Sequence, residues 1–376
     1  MPPSLPFVDL KTQYARLKPS IDARLRRVLE HGQYILGPEV AELETELARF
    51  CGVSFCVTVA SGTEALRLPL MAENIGIGDA VFLPAFTFPA TAEVVVSLGA
   101  TPVFVDVAED SYNLDPANLE AAILKTKRNG KLRPRAVMPV DLFGLPADYA
   151  SIGALAAQHK LFVLADAAQS FGARVGNRAV GTLAPMTATS FFPAKPLGAY
   201  GEGGAIFTDD AEAAKVLRSI RAHGAGDDRY EIVRLGTNAR LDTLQAAVLL
   251  AKLEIFADEL VARERWASEY DRRLDRAVVR PPRHRDMTSA WAQYCIRVSG
   301  RDRIRKALDE KGIPTAIYYP KPLHFQTAYQ QFSKGAGSLP VSERVSTEIL
   351  ALPMHPYLDE GTVALISDAV NEAAAS

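Results

Sequence analysis

Cysteine is scarce in this chain, with three in 376 residues. Cys51, Cys56 and Cys295 form no CxxC pair, and their odd number argues against a disulfide framework. Cys56 and Cys295 lie in apolar, strand-like runs, which reads them as buried and inert thiols. An excess of one charge is lacking too: Lys+Arg 42 against Asp+Glu 44 leaves a net charge of −2. With no basic tract and no basic stretch interleaved with aromatics, nucleic acid is not expected as a partner. No apolar run reaches membrane-spanning length, and Met1-Pro-Pro-Ser-Leu-Pro6 shows neither a basic n-region nor an apolar h-region. The expectation is a soluble, cytoplasmic protein with no membrane partner. The six histidines show no metal-ligand spacing, so no metal is expected. Internal repeats and low-complexity segments are absent as well.

What is present is alternation. Short apolar runs at Ser54–Val59, Ala80–Leu83, Pro102–Val105, Arg135–Pro139, Leu161–Asp166, Thr187–Phe192 and Ala205–Thr208 read as strands. Helical patterns stand between them at Ala90–Leu98, Pro116–Leu124 and Asp148–His159, with Glu39–Phe50 before the set and Ala211–Ala222 after it. An N-terminal arm precedes an amphipathic helix expected near Ser20–Leu29. The alternation predicts an α/β fold with a mostly parallel sheet and helices on both faces. A long helix from Leu244 to about Leu274 leads to a smaller C-terminal α+β domain with a strand (Ala292–Val298), a helix (Asp302–Lys311), a short strand (Thr315–Tyr318) and a closing helix near Asp359–Ala373. Residues 1–250 are read as the large domain and 251–376 as the small one.

The chemistry concentrates on two neighbouring stretches. Leu161-Phe-Val-Leu-Ala-Asp166 has the pattern of a buried parallel strand ending in a carboxylate, followed at once by Ala167-Ala-Gln169-Ser170. Open α/β sheets bind ligands at that carboxyl edge. Thr187–Phe192 leads into Pro193-Ala-Lys195-Pro-Leu-Gly198 and the glycine-rich Gly201-Glu-Gly-Gly204. An amine and a buried carboxylate brought together suit pyridoxal 5′-phosphate (PLP), where lysine holds the aldehyde as a Schiff base and the carboxylate keeps the pyridine nitrogen protonated. On spacing alone, a surface lysine and a loop-capping aspartate explain the pattern equally well. Upstream, Ala60-Ser61-Gly62-Thr63 between a strand and a helix presents free backbone N–H groups that suit a phosphate, though plain helix capping explains it too.

These residues carry a resemblance. Asp166-Ala-Ala-Gln169-Ser170, then Ser190-Phe-Phe-Pro-Ala-Lys195-Pro-Leu-Gly198, then Gly203-Gly204-Ala205, resemble the signature of the DegT/DnrJ/EryC1/StrS family of PLP-dependent sugar-nucleotide aminotransferases. The resemblance implies a type I PLP fold, Lys195 as the catalytic residue, and cofactor contacts from Gly62, Thr63, Phe88, Asp166, Gln169 and Ser190. It favours Phe88 over Phe86 as the aromatic that covers the ring, and has Gln169 orient either the ring oxygen or Asp166. It further implies a homodimer in which Asn238 reaches the partner's cofactor phosphate and Arg240 faces the partner's substrate. Read within one chain, Asn238 would cap the long helix and Arg240 would pair with Asp242. Tyr318, Tyr319 and His324 are the remaining substrate-binding candidates, because polar aromatics on loops bind more often than they pack. Family members commonly carry a histidine in place of Tyr318.

Three rival readings differ in chemistry. A sugar dehydratase of the family would have histidine where Lys195 stands. Another type I PLP enzyme would use an arginine for an amino acid's α-carboxylate, and a non-catalytic regulator would not need the intact Asp166/Gln169/Ser190/Lys195/Asn238 set. Over His31–Val40, Asp166–Gly204, Gly236–Leu253 and Leu352–Tyr357 the chain is most similar to members that aminate 3-keto sugars linked to UDP or dTDP, those acting on UDP-2-acetamido-3-keto-glucuronate for polysaccharide or O-antigen synthesis foremost. The implied substrates are a nucleotide-linked keto sugar and an amino-acid donor such as glutamate. A dTDP-linked 3-keto-6-deoxyhexose or a 4-keto sugar is the alternative.

Overall fold

The computed structural model describes residues 5–228 and 230–375; the opening Met1–Ser4 stretch lies outside them. Seven strands form one sheet: β1 (Phe55–Val59), β2 (Asp79–Pro84), β3 (Thr101–Val105), β4 (Arg133–Val137), β5 (Phe162–Asp166), β6 (Met186–Ser190) and β7 (Gly204–Thr208). Their spatial order is β1-β7-β6-β5-β4-β2-β3. All run parallel except β7, which is antiparallel to both its neighbours. The parallel strands are nearly all buried, as helices on both faces require. The helices are α1 (Leu10–His31), α2 (Pro38–Cys51), α3 (Gly62–Ala72), α4 (Ala90–Ser97), α5 (Pro116–Asn129), α6 (Tyr149–His159), α7 (Ala211–Arg221), α8 (Thr243–Arg273), α9 (Arg301–Glu310), α10 (Pro340–Glu348) and α11 (Glu360–Ala375).

The first helix is longer than expected. It starts at Leu10 because Asp9 caps it, accepting a hydrogen bond from the Thr12 N–H at 2.9 Å. Pro19 lies inside it, just before the Ser20 start that was expected. Proline removes one hydrogen bond, and packing of Leu17 and Ile21 against Val248 and Ala251 of α8 offsets that loss.

In the C-terminal part, β8 (Tyr294–Arg297) pairs antiparallel with β9 (Ile349–Leu352). Strand β9 and helix α10 went unread in the sequence, and the strand expected at Thr315–Tyr318 makes a single backbone pairing, Ala316 with Ala351. Residues 250 and 251 both fall inside α8, whose first half packs among Leu47, Phe171 and Phe207 and whose last turns join the core of Tyr294, Leu352 and Ile366. Phe171 is the hub of the former core, stacked on Phe50, Phe207 and Phe256 at 5.3–5.8 Å between ring centres. Truncating a buried aromatic of this kind to alanine costs about 3–5 kcal/mol.

Candidate active site

The carboxyl ends of β5 and β6, the start of α3 and the Pro84–Pro89 loop enclose a cleft of about 520 Å³. Its walls include Gly62, Thr63, Phe88, Asp166, Gln169, Ser190, Lys195, Tyr318 and Tyr319. Nine of the twelve sequence candidates are thus brought together.

Asp166 ends β5 and is 5% exposed. Its Oδ2 accepts from the Thr91 hydroxyl at 2.8 Å and its Oδ1 from the Ala168 N–H at 3.2 Å. Burial raises its pKa, while those hydrogen bonds and the charge of Lys195 oppose the rise. Lys195 shows the complementary effect: burial lowers its pKa and Asp166 raises it. Among the described residues the two form no direct ion pair, so they attract one another across the cleft.

The loop bearing Lys195 is gripped from below. Lys252 of α8, 1% exposed, donates from Nζ to the Gly198 carbonyl at 2.6 Å and lies 4.2 Å from the centre of the Tyr200 ring. Gln245, two turns earlier, accepts from the Tyr200 N–H at 2.8 Å. Burial depresses the Lys252 pKa to about 8.

At the start of α3, Ser61 caps the helix by accepting from the Glu64 N–H at 3.2 Å. That leaves the first-turn N–H groups of Gly62 and Thr63 without intrahelical partners at the wall of the cleft, which Ser190 also lines. Gly62 is required there, because a Cβ would lie 2.6 Å from the Ser190 Cβ. Gly204 of β7 is required for a similar reason, since its Cβ would meet the Ser61 carbonyl oxygen at 2.5 Å. The two glycines let α3, β6 and β7 close on one another and form an anion-sized cradle.

The aromatic candidates separate. Phe88 is 55% exposed and faces the cleft, whereas Phe86 is fully buried against Phe143 and Tyr319. Gln169 accepts from the Phe143 N–H at 2.6 Å and donates to the Tyr319 hydroxyl at 3.2 Å. It makes no hydrogen bond to Asp166 among the described residues, and Thr91 takes that part instead.

Three candidates lie elsewhere. His324 is 1% exposed, pairs through Nε2 with Glu343 at 3.2 Å and does not line the cleft. The chain turns at Pro320–Pro322 into a short helical turn, Leu323–Phe325, which carries the ring away from Tyr319. Asn238 is exposed, and Arg240 donates from Nε to the Asn238 side-chain oxygen at 3.0 Å. Neither single-chain role holds for them: Asp242 stands at the N-cap of α8, and Arg240 forms no ion pair with it among the described residues.

Sequence reasoning passed over Thr91, Glu93, Glu202, Gln293 and Lys252. Thr91 is a lone hydroxyl in the first turn of a helix, and Lys252 looks like a solvated helix lysine until the fold buries it. Only the Gly201-Glu202-Gly motif drew attention to its surroundings.

Comparison with known proteins agrees with this geometry. The family model described as DegT/DnrJ/EryC1/StrS aminotransferase family matches residues 16–371. The UDP-2-acetamido-2-deoxy-3-oxo-D-glucuronate aminotransferase of Pseudomonas aeruginosa is 47% identical over 365 residues, covering 97% of this chain and 99% of its own. A crystal structure of a DegT DnrJ EryC1 StrS aminotransferase from Brucella abortus superposes with a TM-score of 0.97 at 50% identity, covering 99% of this chain and 100% of that one. DesV of Streptomyces venezuelae, solved in complex with a ketimine intermediate, superposes with a TM-score of 0.94 at 39% identity, covering 100% of this chain and 99% of the other.

Proposed function

Because this chain belongs to the DegT/DnrJ/EryC1/StrS aminotransferase family, whose members use PLP, we propose that it transfers an amino group from an amino acid, glutamate by preference, to the 3-keto group of UDP-2-acetamido-2-deoxy-3-oxo-glucuronate. The observation that carries the reading is the placement of Asp166 at the end of β5 and Lys195 on the loop after the neighbouring β6, both lining one cleft, in a chain so close to an enzyme of that name. In this reading the enzyme works in the cytoplasm, on the route to a cell-surface polysaccharide or O-antigen sugar.

The residues fit the cofactor. Asp166 is a buried carboxylate whose ionised form lacks a paired cation in the chain itself, which suits a protonated ring nitrogen. The N–H groups of Gly62 and Thr63 with the Ser190 hydroxyl suit a phosphate, and Phe88 offers a ring face. When bound, the cofactor supplies an electron-withdrawing ring. Lys195 would then have two duties: its Nζ would hold the cofactor, and once released would take the proton from the amino donor's Cα. Burial helps the second duty, since a lowered pKa leaves the amine unprotonated nearer neutrality. Gln169, held by Phe143 and Tyr319, keeps a polar side chain fixed beside the ring.

The charged residues lining the cleft are Glu93, Asp166, Glu202 and Lys195, three carboxylates against one amine. A phosphorylated cofactor and an anionic sugar nucleotide need more positive charge than that. The homodimer supplies it in this proposal, with Asn238 and Arg240 of one subunit reaching the partner's cleft. The apolar surface around them supports the same view: Tyr34, Ile35 and Leu36 pack beside Asp242 and Thr243 and are 40–48% exposed, and Leu235 is 89% exposed.

The test is a panel of UDP- and dTDP-linked 3-keto and 4-keto sugars with glutamate. Turnover of the UDP-linked 3-keto uronate ahead of the rest is expected; preference for a 4-keto sugar overturns the substrate. The same preparation should show a visible imine band that borohydride removes, and its absence would overturn the Lys195 assignment independently.

A further inference from the structure

His324, the candidate that the fold turned away from the cleft, lines a second pocket at the open edge of the large sheet. That pocket has a volume of about 280 Å³. Its floor is apolar, formed by Pro102 and Phe104 of the edge strand β3, Leu132 and Phe332. Its rim carries Lys125, Lys131 and Lys334, and no carboxylate lines it. None of the three lysines has an ion-pair partner among the described residues. Burial and the neighbouring charge of Lys125 lower the pKa of Lys334, as like charges held together without an anion require. The fully buried His324 ring uses only Nε2, for Glu343, and its Nδ1 has no partner among the described residues.

We propose that this edge pocket is a binding site for a nucleoside phosphate, distinct from the catalytic cleft. Three point-charge amines recognise phosphate, and the Phe332 ring and the apolar floor accept a flat base. The segment that carries His324 and Phe332 is also hydrogen-bonded to the Pro84–Pro89 loop of the catalytic site. The Leu323 N–H donates to the Ala85 carbonyl at 2.8 Å and the Tyr329 hydroxyl to the Pro89 carbonyl at 3.4 Å, and these two carbonyls bracket Phe88. A ligand that presses on the 323–339 segment therefore bears on the loop that carries Phe88.

The expected count of two UDP sites rests on the proposed UDP-linked substrate, whereas the lysine variants test the edge pocket whatever the substrate is. Its test is calorimetric titration of the cofactor-loaded enzyme with UDP, with inorganic phosphate as a second probe. Two classes of UDP site per chain are expected, one of which phosphate displaces at low ionic strength. Lys125→Gln/Lys334→Gln should weaken that class at least tenfold while melting temperature, imine absorbance and turnover without added UDP stay at wild-type values. Lys334→Glu, which adds a repelling charge, should abolish it. The absence of any class of UDP site that the two lysine variants weaken, however many classes are found, overturns the proposal.

Discussion

The two parts of the proposed site differ in how completely one chain finishes them. At the ends of β5 and β6 every proposed group is held from behind: Asp166 by Thr91 and Ala168, Gln169 by Phe143 and Tyr319, the Lys195 loop by Lys252 and Gln245. Across Gly236–Asp242 the side chains of Asn238 and Arg240 bond to each other on the surface. The first arrangement is preorganised, so its groups act without first being ordered. The second has two proposed binding side chains whose hydrogen bond among the described residues is to one another, which suits a target on another copy.

The comparison breaks first at Lys195. Lys195→Ala removes the proposed proton carrier, and turnover should fall by about 10²–10⁴-fold, while PLP still binds through its phosphate in an equilibrium dialysis assay. Wild-type turnover would end the assignment. Next, Asn238→Ala/Arg240→Ala should lower turnover by about a hundredfold, the loss of up to two charge-assisted contacts, with an unchanged melting temperature because both side chains lie at the surface. Mixing this variant with Lys195→Ala should restore activity, to at most half per heterodimer. Heterodimers that form yet stay inactive would return Asn238 and Arg240 to their own chain.

Asp166→Asn should be milder. One charge-assisted hydrogen bond is worth roughly 1.5–3 kcal/mol, so about a tenfold loss or more is expected. A ring nitrogen shown by NMR to be unprotonated in the wild type would remove the role. The smallest effect on turnover belongs to Lys252, and it is read through pH. The unfolded chain keeps this proton up to about pH 10.5 and the folded chain releases it at about 8. Between those values unfolding takes up a proton, so stability rises with pH, by roughly 3 kcal/mol across the window; below pH 8 the penalty is full and constant. Tyr200 faces the same amine from the loop, with Tyr14 of α1 packed edge-on against Tyr200, and Glu259 acts on it from its own helix. In urea titrations from pH 7.5 to 10.5, Lys252→Met should lose that rise, and a rise equal to wild type would place the proton elsewhere.

Much of the fold was legible because its strands are short apolar runs between clear helix signals. Strand β7 was read as a strand of a mostly parallel mixed sheet, but not as its antiparallel member, since strand direction leaves no mark on a five-residue apolar segment. Strand β9 sits directly behind α10 with no glycine or proline between them, so nothing in the sequence separated the two. Within the site, the residues that announced themselves stand beside glycine and proline, as Lys195 and Gly62 do. Thr91 and Lys252 owe their roles to what the fold packs against them, which no local pattern encodes. His324 misled for the opposite reason: Tyr318-Tyr319-Pro-Lys-Pro-Leu-His324 reads as one loop, and two prolines turn it between Tyr319 and the histidine.

Helix α8 has a bearing on how this protein can be taken apart. At 31 residues it is about 46 Å long, and both cores are built on it. A protease probing the native protein finds no exposed linker near residue 250, because the chain there is buried helix. A gene cut at that point would deliver two fragments, each with half a helix and an uncovered apolar flank. Each would aggregate when expressed alone, and together they would recover a native state only by rejoining along that axis.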